Sequence, residues 1–446
     1  MNSNLIRSLG LVSAVALIPA ATAAFAAVDV DTYRELDQFM SVFERVRAEY
    51  VETVDDKTLL RGAIDGMLNS LDPHSSYLDE KGFRALMTQT EGNYGGLGLS
   101  VTQEDGAVKI MTVTEDTPAF RAGLKTGDYL THLNGKLVYG GTLDEAVDQM
   151  RGPPGTTVKL TVVRPGRDKP FDVTITRAII ELPAVKWEVK DRVGIINVNT
   201  FNKTTTQQAL SAMNSIEKSL GGPPLGYILD LRSNPGGLLD QAIGLSDAFL
   251  ERGEIVSQRG RRTSDIERYY AKPGDAAKGL PVVVLVDAGS ASAAEIVAAA
   301  LQEHHRALVM GERTFGKGSV QTLLPLTQTT ALRLTTARYY TPSGRSVQEG
   351  GITPDIAVPQ LSDPDYKSRP RFREADLRRH LINETKVDDD VVQDDGKPDP
   401  RFAATAEELK KRGIKDFQLH YALQTISRLG KVQQASAAPA KRAGTR

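Results

Sequence analysis

The chain has 446 residues, more than one ordinary domain needs, and its Lys plus Arg (55) and Asp plus Glu (56) give a formal net charge of -1 at pH 7. A nearly neutral chain lacks the basic surface that nucleic-acid binding usually requires, so no nucleic-acid partner is expected. The absence of cysteine excludes disulfide bonds, thiolate metal sites and a cysteine nucleophile.

The first residues have the pattern of a secretory signal peptide. A weakly basic start at residues 4–7 precedes an apolar run from Leu9 to Pro19, and mostly small residues fill positions 20–27. The apolar run is too short to span a membrane, which takes about 20 residues. We therefore expect residues 1–27 to be cleaved on export, which predicts a periplasmic protein, either free or peripheral to the membrane. An uncleaved amphipathic anchor is the alternative.

Residues 28–90 are predicted to be helical, because two stripes of apolar side chains follow helical spacing. The first stripe consists of Leu36, Phe39, Met40, Phe43, Val46 and Tyr50, and the second of Leu59, Ala63, Met67 and Leu71. Each stripe is expected either to pack against the rest of the chain or to form a dimer interface, and the pattern does not choose between the two.

Residues 91–178 predict a small domain rich in β-structure. Alternating apolar runs at Val108–Val113 and Val158–Val163 are typical of strands. Between them, Thr142 and Glu145 form the sequence pattern of a capping box, which predicts the start of a helix. The apolar face of that helix consists of Leu143, Val147 and Met150.

Residues 179–360 predict an α/β core. Three continuous apolar runs are expected to be strands covered on both faces: Val193–Val198, Tyr227–Leu231 and Pro281–Val286. A strong helix is predicted at Ala293–Leu301, so that strands and helices alternate.

The chain turns polar after residue 362, and its runs of charged residues are expected to be solvated surface without a function of their own. Residues 361–432 form a charged, partly helical C-terminal extension, with one amphipathic helix predicted at Thr405–Leu429. Residues 433–446, rich in Ala, Lys and Arg, are predicted to be a disordered tail.

The small domain resembles a PDZ domain. Its Gly96-Leu97-Gly98-Leu99 stretch matches the carboxylate-binding loop of that family, and Ala122–Leu130 matches a second family element. Without the second element, the glycines would indicate only a hairpin turn. The resemblance implies that a peptide adds to the sheet edge, with its C-terminal carboxylate on the loop amides. An apolar pocket for its last side chain would then be formed by Leu99, Val101, Leu143 and Val147.

Three segments of the core are candidates for chemistry. The glycine turn at Asp230–Gly237 is expected either to bind an oxyanion through its amides or only to connect a strand and a helix. In Gly289–Glu295, Ser292 fits both a helix N-cap, paired with Glu295, and a nucleophile favoured by the helix dipole. In Gly316–Gln321, Lys317 between two glycines indicates either a tight loop against another backbone or a solvated surface lysine.

Together these segments resemble the carboxyl-terminal processing proteases, also called tail-specific proteases, from about residue 35 to residue 360. That family consists of serine peptidases with a Ser/Lys dyad. The resemblance implies that Ser292 is the nucleophile, that Lys317 is its general base and that Gln321 orients the lysine.

The resemblance also implies an oxyanion hole formed by the N–H groups of Ala293 and Gly237, with Gly236 as the neighbouring alternative. Two positions depart from the family pattern: Ala294 stands where serine is frequent, and Ser233 where asparagine is frequent. Neither departure removes a catalytic group.

The fold implied by this resemblance is an α+β multidomain protein. It consists of a helical N-terminal region, an inserted PDZ domain, an α/β core related to ClpP and crotonase, and a helical C-terminal extension. The implied activity is that of a serine-type endopeptidase without cofactor or metal. Expected partners are unfolded or tail-exposed proteins, an activating adaptor protein and further copies of the chain. The alternatives are a catalytically inactive PDZ scaffold and an acyl hydrolase or hydratase.

Two residues carry further expectations. A lysine, with an ordinary pKa near 10.4, acts as a base at neutral pH only if its pKa is lowered, so we expect Lys317 to be desolvated and to point at Ser292. A Ser/His/Asp triad using His304 or His305 is the alternative. Arg151 is expected to be regulatory, contacting the core when peptide is bound, or else to interact with the helix dipole.

Overall fold

The structure is a computed structural model, and it describes residues 30–104, 106–384 and 399–437. The predicted signal peptide (1–27) and residues 438–446 of the predicted tail lie outside the described residues. Contacts divide the chain into two units, one ending at Gly66 and the other beginning at Met67. Within the described ranges, no helix has the length and apolar character needed to cross a membrane.

The first unit is helical. It contains α1 (Val30–Glu49) and most of α2 (Asp56–Asn69), at the places where the apolar spacing predicts helices. Four side chains of the first stripe are between 41% and 58% exposed, namely Leu36, Phe39, Met40 and Tyr50. This stripe is therefore largely a surface feature of α1.

The region predicted to be helical also contains a short strand. After α2 come β1 (Ser76–Leu78) and α3 (Glu80–Glu91), whose N-cap Asp79 accepts a hydrogen bond from the Gly82 N–H. β1 pairs antiparallel with the start of β18 (Ala331–Tyr340). The all-helical prediction for residues 28–90 does not hold at β1, because the strand depends on a partner that is distant in sequence.

The small domain is an antiparallel sheet with two helices. Its sheet has the order β3-β4-β5-β7-β8, with β6 beside β5, and the helix α5 begins with the predicted capping box formed by Thr142 and Glu145. A ribbon of β2 and β9 flanks the domain. The bounds are β2 (Asn93–Gly96), β3 (Leu99–Glu104), β4 (Ala107–Val113), α4 (Pro118–Arg121), β5 (Tyr129–Leu133), β6 (Lys136–Leu137), α5 (Leu143–Met150), β7 (Thr157–Val163), β8 (Phe171–Thr176) and β9 (Ala178–Glu181).

The core is a six-stranded sheet in the order β10-β11-β12-β15-β16-β19, parallel except for the edge strand β10. Three helices, α6 to α8, pack on one of its faces. The bounds are β10 (Val185–Lys190), β11 (Val193–Val198), α6 (Thr205–Leu220), β12 (Tyr227–Asp230), α7 (Leu239–Asp247), β15 (Val282–Val286), α8 (Ala293–Glu303), β16 (Leu308–Gly311) and β19 (Ile356–Ala357). This alternation agrees with the α/β core expected from the apolar runs.

A second sheet, separate from the parallel one, has the order β1-β18-β13-β14, and β17 also pairs with β18. Its further bounds are β13 (Glu254–Gly260), β14 (Ile266–Tyr270) and β17 (Ser319–Pro325). β17 begins just after Lys317, so this sheet carries the loop that contains the lysine.

The C-terminal extension covers the other face of the parallel sheet. It contains α9 (Ala406–Lys411) and α10 (Phe417–Ala437), and Phe417 and Ile426 pack on strand residues such as Ile228 and Val283. The single helix predicted at 405–429 is two helices, because Gly413 adopts a left-handed conformation (φ +72°) after α9. α10 also continues past residue 432, where the sequence predicts the start of the tail.

Candidate active site

Ser292 lies where β15 turns into α8, and its backbone is in an unusual conformation. Its φ of +54° and ψ of −112° fall outside the regions that residues with a Cβ normally adopt. Its backbone N–H donates to Glu295 Oε2 at 2.7 Å, but its hydroxyl makes no capping hydrogen bond to the described helix. Strain of this kind is often found at functional sites, and the hydroxyl remains available for chemistry.

The Glu295 carboxylate joins the serine turn to the lysine loop. One oxygen accepts from the backbone N–H groups of Ser292 (2.7 Å) and Lys317 (2.9 Å), and the other from the Gly316 N–H (2.7 Å) and the Thr314 hydroxyl (2.5 Å). Glu295 is fully buried. Burial raises its pKa to about 7, and the hydrogen bonds oppose that rise. The sequence indicated only the capping bond, since the lysine loop is distant along the chain.

The Lys317 side chain is largely withdrawn from solvent, and this burial lowers the pKa of its amine. The charges of Glu374, Glu295 and Asp72 raise the pKa, and that of Arg333 lowers it. The net direction is the one that a general base requires at neutral pH.

The loop around Lys317 lies directly against another segment of backbone. A Cβ on Gly318 would come within 2.5 Å of the Gln348 nitrogen, so this position requires glycine. The Gly318 N–H donates to the Gln348 side-chain oxygen at 3.0 Å, and the Glu349 N–H donates to the Gly316 carbonyl at 2.9 Å. Of the two interpretations of the sequence, the tight loop is therefore the one found.

Gln321 lies on β17, four residues after the lysine. Its Nε2 donates to the Ser319 hydroxyl at 3.0 Å and to the Thr335 hydroxyl at 3.2 Å. These contacts fix the amide on the β17–β18 pair. A role in orienting Lys317 stays a prediction.

The predicted oxyanion turn lies against the serine. A Cβ placed on Gly236 would be 2.9 Å from Ser292 Cβ and 3.1 Å from the Ala293 nitrogen, so turn and nucleophile are in contact. The Gly236 N–H is bound to Asn234 Oδ1 at 2.8 Å. The N–H groups of Gly237 and Ala293 form no hydrogen bond to any described residue. Of the two glycines, Gly237 is therefore the one with a donor to offer.

A small cavity lies between the loop at the start of β3 and α5 in the small domain. It is lined by Tyr94, Gly96, Leu97, Gly98, Leu99, Val101, Val147, Met150 and Arg151. Leu143, which the sequence assigns to this pocket, is not among the lining residues and packs, partly buried, on the domain's core. The Arg151 guanidinium lies 4.9 Å from the centre of the Tyr94 ring at the same cavity.

His304, one of the two histidines considered for a triad, lies at the opposite end of α8 from the serine. His304 follows the last residue of α8, roughly 18 Å along the helix from Ser292, and its Nε2 lies 2.7 Å from the Glu254 carbonyl. In the described part of the chain, no group of three His, Asp or Glu side chains has a metal-binding arrangement.

The charged groups around Lys317 were not indicated by any sequence motif. Asp72 lies in the turn before β1, Arg333 lies on β18, and Glu374 lies in the C-terminal extension. Asp72 accepts hydrogen bonds from the Ser75 hydroxyl and N–H. No local sequence signal marked Asp72, Arg333 or Glu374.

Three family models match successive regions of the chain. The model of peptidase family S41 matches residues 192–358, and a PDZ domain model matches residues 95–175. The model of the activating protease CtpB N-terminal domain matches residues 19–82. The α+β multidomain prediction is thereby confirmed.

Related proteins cover most of the chain. A carboxy-terminal-processing protease of Bartonella bacilliformis is 49% identical over 360 residues, which is 80% of this chain and 83% of that protein. The carboxy-terminal processing protease CtpA of Bacillus subtilis is 37% identical over 338 residues, 75% of this chain and 71% of that one. The solved photosystem II D1 C-terminal processing protease aligns at 27% identity with a TM-score of 0.42, over 74% and 94% of the two chains. This chain therefore belongs to the carboxy-terminal processing proteases of peptidase family S41, and it is a serine-type protease with a PDZ domain.

Proposed function

We propose that this protein binds the C-terminus of a protein substrate in its PDZ domain and cleaves the polypeptide near that end with a Ser292/Lys317 dyad. The observation that carries the proposal is the single Glu295 oxygen that accepts from the backbone N–H groups of both residues. The proposal is supported because the strained serine turn and the lysine loop are both hydrogen-bonded to this one oxygen.

In the proposed reaction, the Ser292 hydroxyl attacks the peptide carbonyl carbon while the neutral Lys317 amine accepts its proton. The carbonyl oxygen becomes an oxyanion, which is stabilised by the N–H groups of Gly237 and Ala293, neither of which has a partner among the described residues. Mutagenesis in other enzymes assigns about 3 kcal/mol to one such donor. The Lys317 ammonium then returns the proton to the leaving amine. Water, deprotonated by the same lysine, hydrolyses the acyl-enzyme and restores the hydroxyl.

The small domain supplies a suitable end-binding site. The N–H groups of Leu97 and Gly98 form no hydrogen bond to any described residue, as expected of a loop that binds a carboxylate. Apolar side chains of Leu99, Val147 and Met150 line the adjacent cavity. We therefore propose a preference for substrates that end in apolar residues.

The test uses purified protein and two unfolded substrates that differ only at the C-terminus, one ending in apolar residues and one in aspartates. Mass spectrometry identifies the products. We expect the apolar-tailed substrate to be cleaved several-fold faster, because an acidic tail is expelled from an apolar pocket. Ser292→Ala serves as the blank for contaminating proteases.

Equal cleavage of both tails would contradict the proposed end recognition while leaving the peptidase intact. The alternative of an inactive PDZ scaffold predicts binding of the apolar tail without cleavage by the wild type. Cleavage that persists in Ser292→Ala would remove Ser292 from the mechanism.

Arg151 is proposed to couple peptide binding to cleavage. In this structure its guanidinium lies at the Tyr94 ring and lines the peptide cavity, so a bound peptide would displace or contact it. We expect Arg151→Ala to reduce the stimulation of cleavage by an added apolar-tailed peptide at least two-fold, measured as the ratio of rates with and without that peptide. Unchanged stimulation would show that Arg151 does not couple peptide binding to cleavage.

Location and assembly are also proposed on sequence grounds. The pattern of residues 1–27 supports export to the periplasm, and the exposed apolar stripe of α1 supports association with another copy of the chain or with an activating adaptor. Fractionation of the native cells and light scattering of the purified protein test these two points.

A further inference from the structure

Glu374 is a buried acid outside the matched peptidase region. It lies in the C-terminal extension, beyond residue 358, and is fully buried. A buried carboxylate is stable only when it is paired or well hydrogen-bonded. Its two oxygens lie 3.0 and 2.9 Å from His74 Nε2, and one of them also accepts from Gln348 Nε2 at 3.0 Å.

Hydrogen bonds connect Glu374 to residues before and after Lys317 in the lysine loop. Gln348, which binds the carboxylate, also accepts from the Gly318 N–H directly after Lys317. The Glu374 backbone N–H donates to the Phe315 carbonyl, at 3.0 Å, two residues before Lys317. The segment at Glu374 is thus hydrogen-bonded to the lysine loop on either side of its central residue.

His74 connects the pair to the sheet beneath the lysine. The Arg333 Nε donates to the His74 carbonyl at 3.1 Å, and the His74 N–H donates to Asp72 at 2.8 Å. Asp72 and Arg333 are themselves two of the charged groups that act on Lys317. His74, which precedes the PDZ domain, and Glu374, which follows the matched peptidase region, are therefore in direct contact.

We propose that the buried Glu374–His74 pair is a positioning element for the catalytic lysine: it holds the Lys317 loop and sets the pH range in which the lysine acts as a base. The inference rests on the proposed Ser292/Lys317 dyad. Glu374 is the foremost charge acting on Lys317 and opposes the effect of burial on its pKa. Glu295 and Asp72 act in the same direction as Glu374, and Arg333 in the opposite one.

The test is the pH profile of kcat/KM for the apolar-tailed substrate, measured with the purified full chain. The acid limb of this profile reports the pKa of the free enzyme's base. Glu374→Gln removes a negative charge near the amine, so the ammonium loses its proton more readily. We expect the acid limb to move to lower pH by about 1 unit. The acid limb of the pH profile for labelling of Ser292 by a fluorophosphonate is expected to shift equally, since labelling also requires the activated serine.

Glu349→Gln is the matched control. Glu349 directly follows Gln348, and one of its carboxylate oxygens lies 2.7 Å from His380 Nε2. Its carboxylate is not among the charges with the largest effects on the pKa of Lys317. We expect its acid limb to coincide with that of the wild type. An equal shift in both variants would overturn the proposal, because the effect would then be general.

Glu374→Asp separates charge from position. It keeps the negative charge but withdraws the carboxylate by one methylene from His74 and Gln348, so we expect the wild-type acid limb with kcat reduced several-fold. Melting temperatures confirm that each variant is folded. An acid limb unchanged in folded Glu374→Gln, or a wild-type kcat in Glu374→Asp, would overturn the inference. Activity that survives Lys317→Ala would instead overturn the dyad itself.

Discussion

Lys317→Arg is expected to lower kcat for peptide cleavage by about 10⁴-fold or more, the loss typical of removing a member of a catalytic unit. The guanidinium keeps its proton at all working pH values, so it cannot accept one from the Ser292 hydroxyl. The wild-type lysine differs because burial lowers the pKa of its amine. Single-turnover kinetics on the apolar-tailed substrate measure the effect on the chemical step.

Three further variants make this prediction specific. Lys317→Met has a similar length without charge and is expected to be equally inactive, which excludes overpacking by arginine as the cause. Ser292→Ala is expected to lose as much activity, and the double variant Ser292→Ala/Lys317→Ala no more than either single variant, because the two residues act as a unit. More than about 1% of wild-type activity in Lys317→Arg would assign the proton transfer to another group.

Glu295→Gln is expected to lower both stability and activity, although it changes only one atom. The carboxylate accepts four hydrogen bonds, two at each oxygen, in a fully buried position. In glutamine, an NH₂ group that cannot accept a hydrogen bond replaces one of the two oxygens. Each oxygen accepts from at least one backbone N–H, so at least one backbone N–H loses its acceptor whichever oxygen is replaced. Each buried unpaired donor costs about 1–3 kcal/mol. We expect a loss of about 2–4 kcal/mol in the free energy of unfolding, measured by urea denaturation.

The same substitution is expected to reduce kcat by about 10²-fold, since small displacements of a catalytic group have effects of this size. Glu303→Gln is the control on the same helix. Glu303 lies at the other end of α8, where its carboxylate accepts from the Ser343 N–H. Glu303→Gln is expected to lower the free energy of unfolding by less than about 1 kcal/mol and to leave kcat unchanged. Wild-type stability and kcat in Glu295→Gln would show that Glu295 does not hold the two loops together.

Much of the fold could be predicted from local pattern. The apolar runs at Val193–Val198 and Pro281–Val286 correspond to β11 and β15, and the capping box at Thr142 begins α5. Such patterns are sufficient because each depends on residues within a few positions of one another. β1 and the break at Gly413 were missed for different reasons: β1 needs a partner on β18, and Gly413 ends a helix inside an otherwise continuous amphipathic pattern.

The candidate site divides in the same way. Motifs of a few residues identified Ser292, Lys317 and Gln321 as candidates, and the near-neutral, cysteine-free composition excluded other chemistries. The conformation of Ser292, the bridge by Glu295 and the choice between the Gly236 and Gly237 donors required the folded chain.

The sequence by itself determined which residue types are present in which local motifs, and through them the family and the class of reaction. Only the tertiary structure decided what surrounds the lysine. Asp72, His74 and Glu374 lie in segments separated by the PDZ domain and the peptidase region, and they meet because β1 pairs with β18 and the extension folds back onto the lysine loop. The charge state of a buried amine depends on every group within a few ångströms, and proximity of that kind is created by folding and has no periodic trace along the chain.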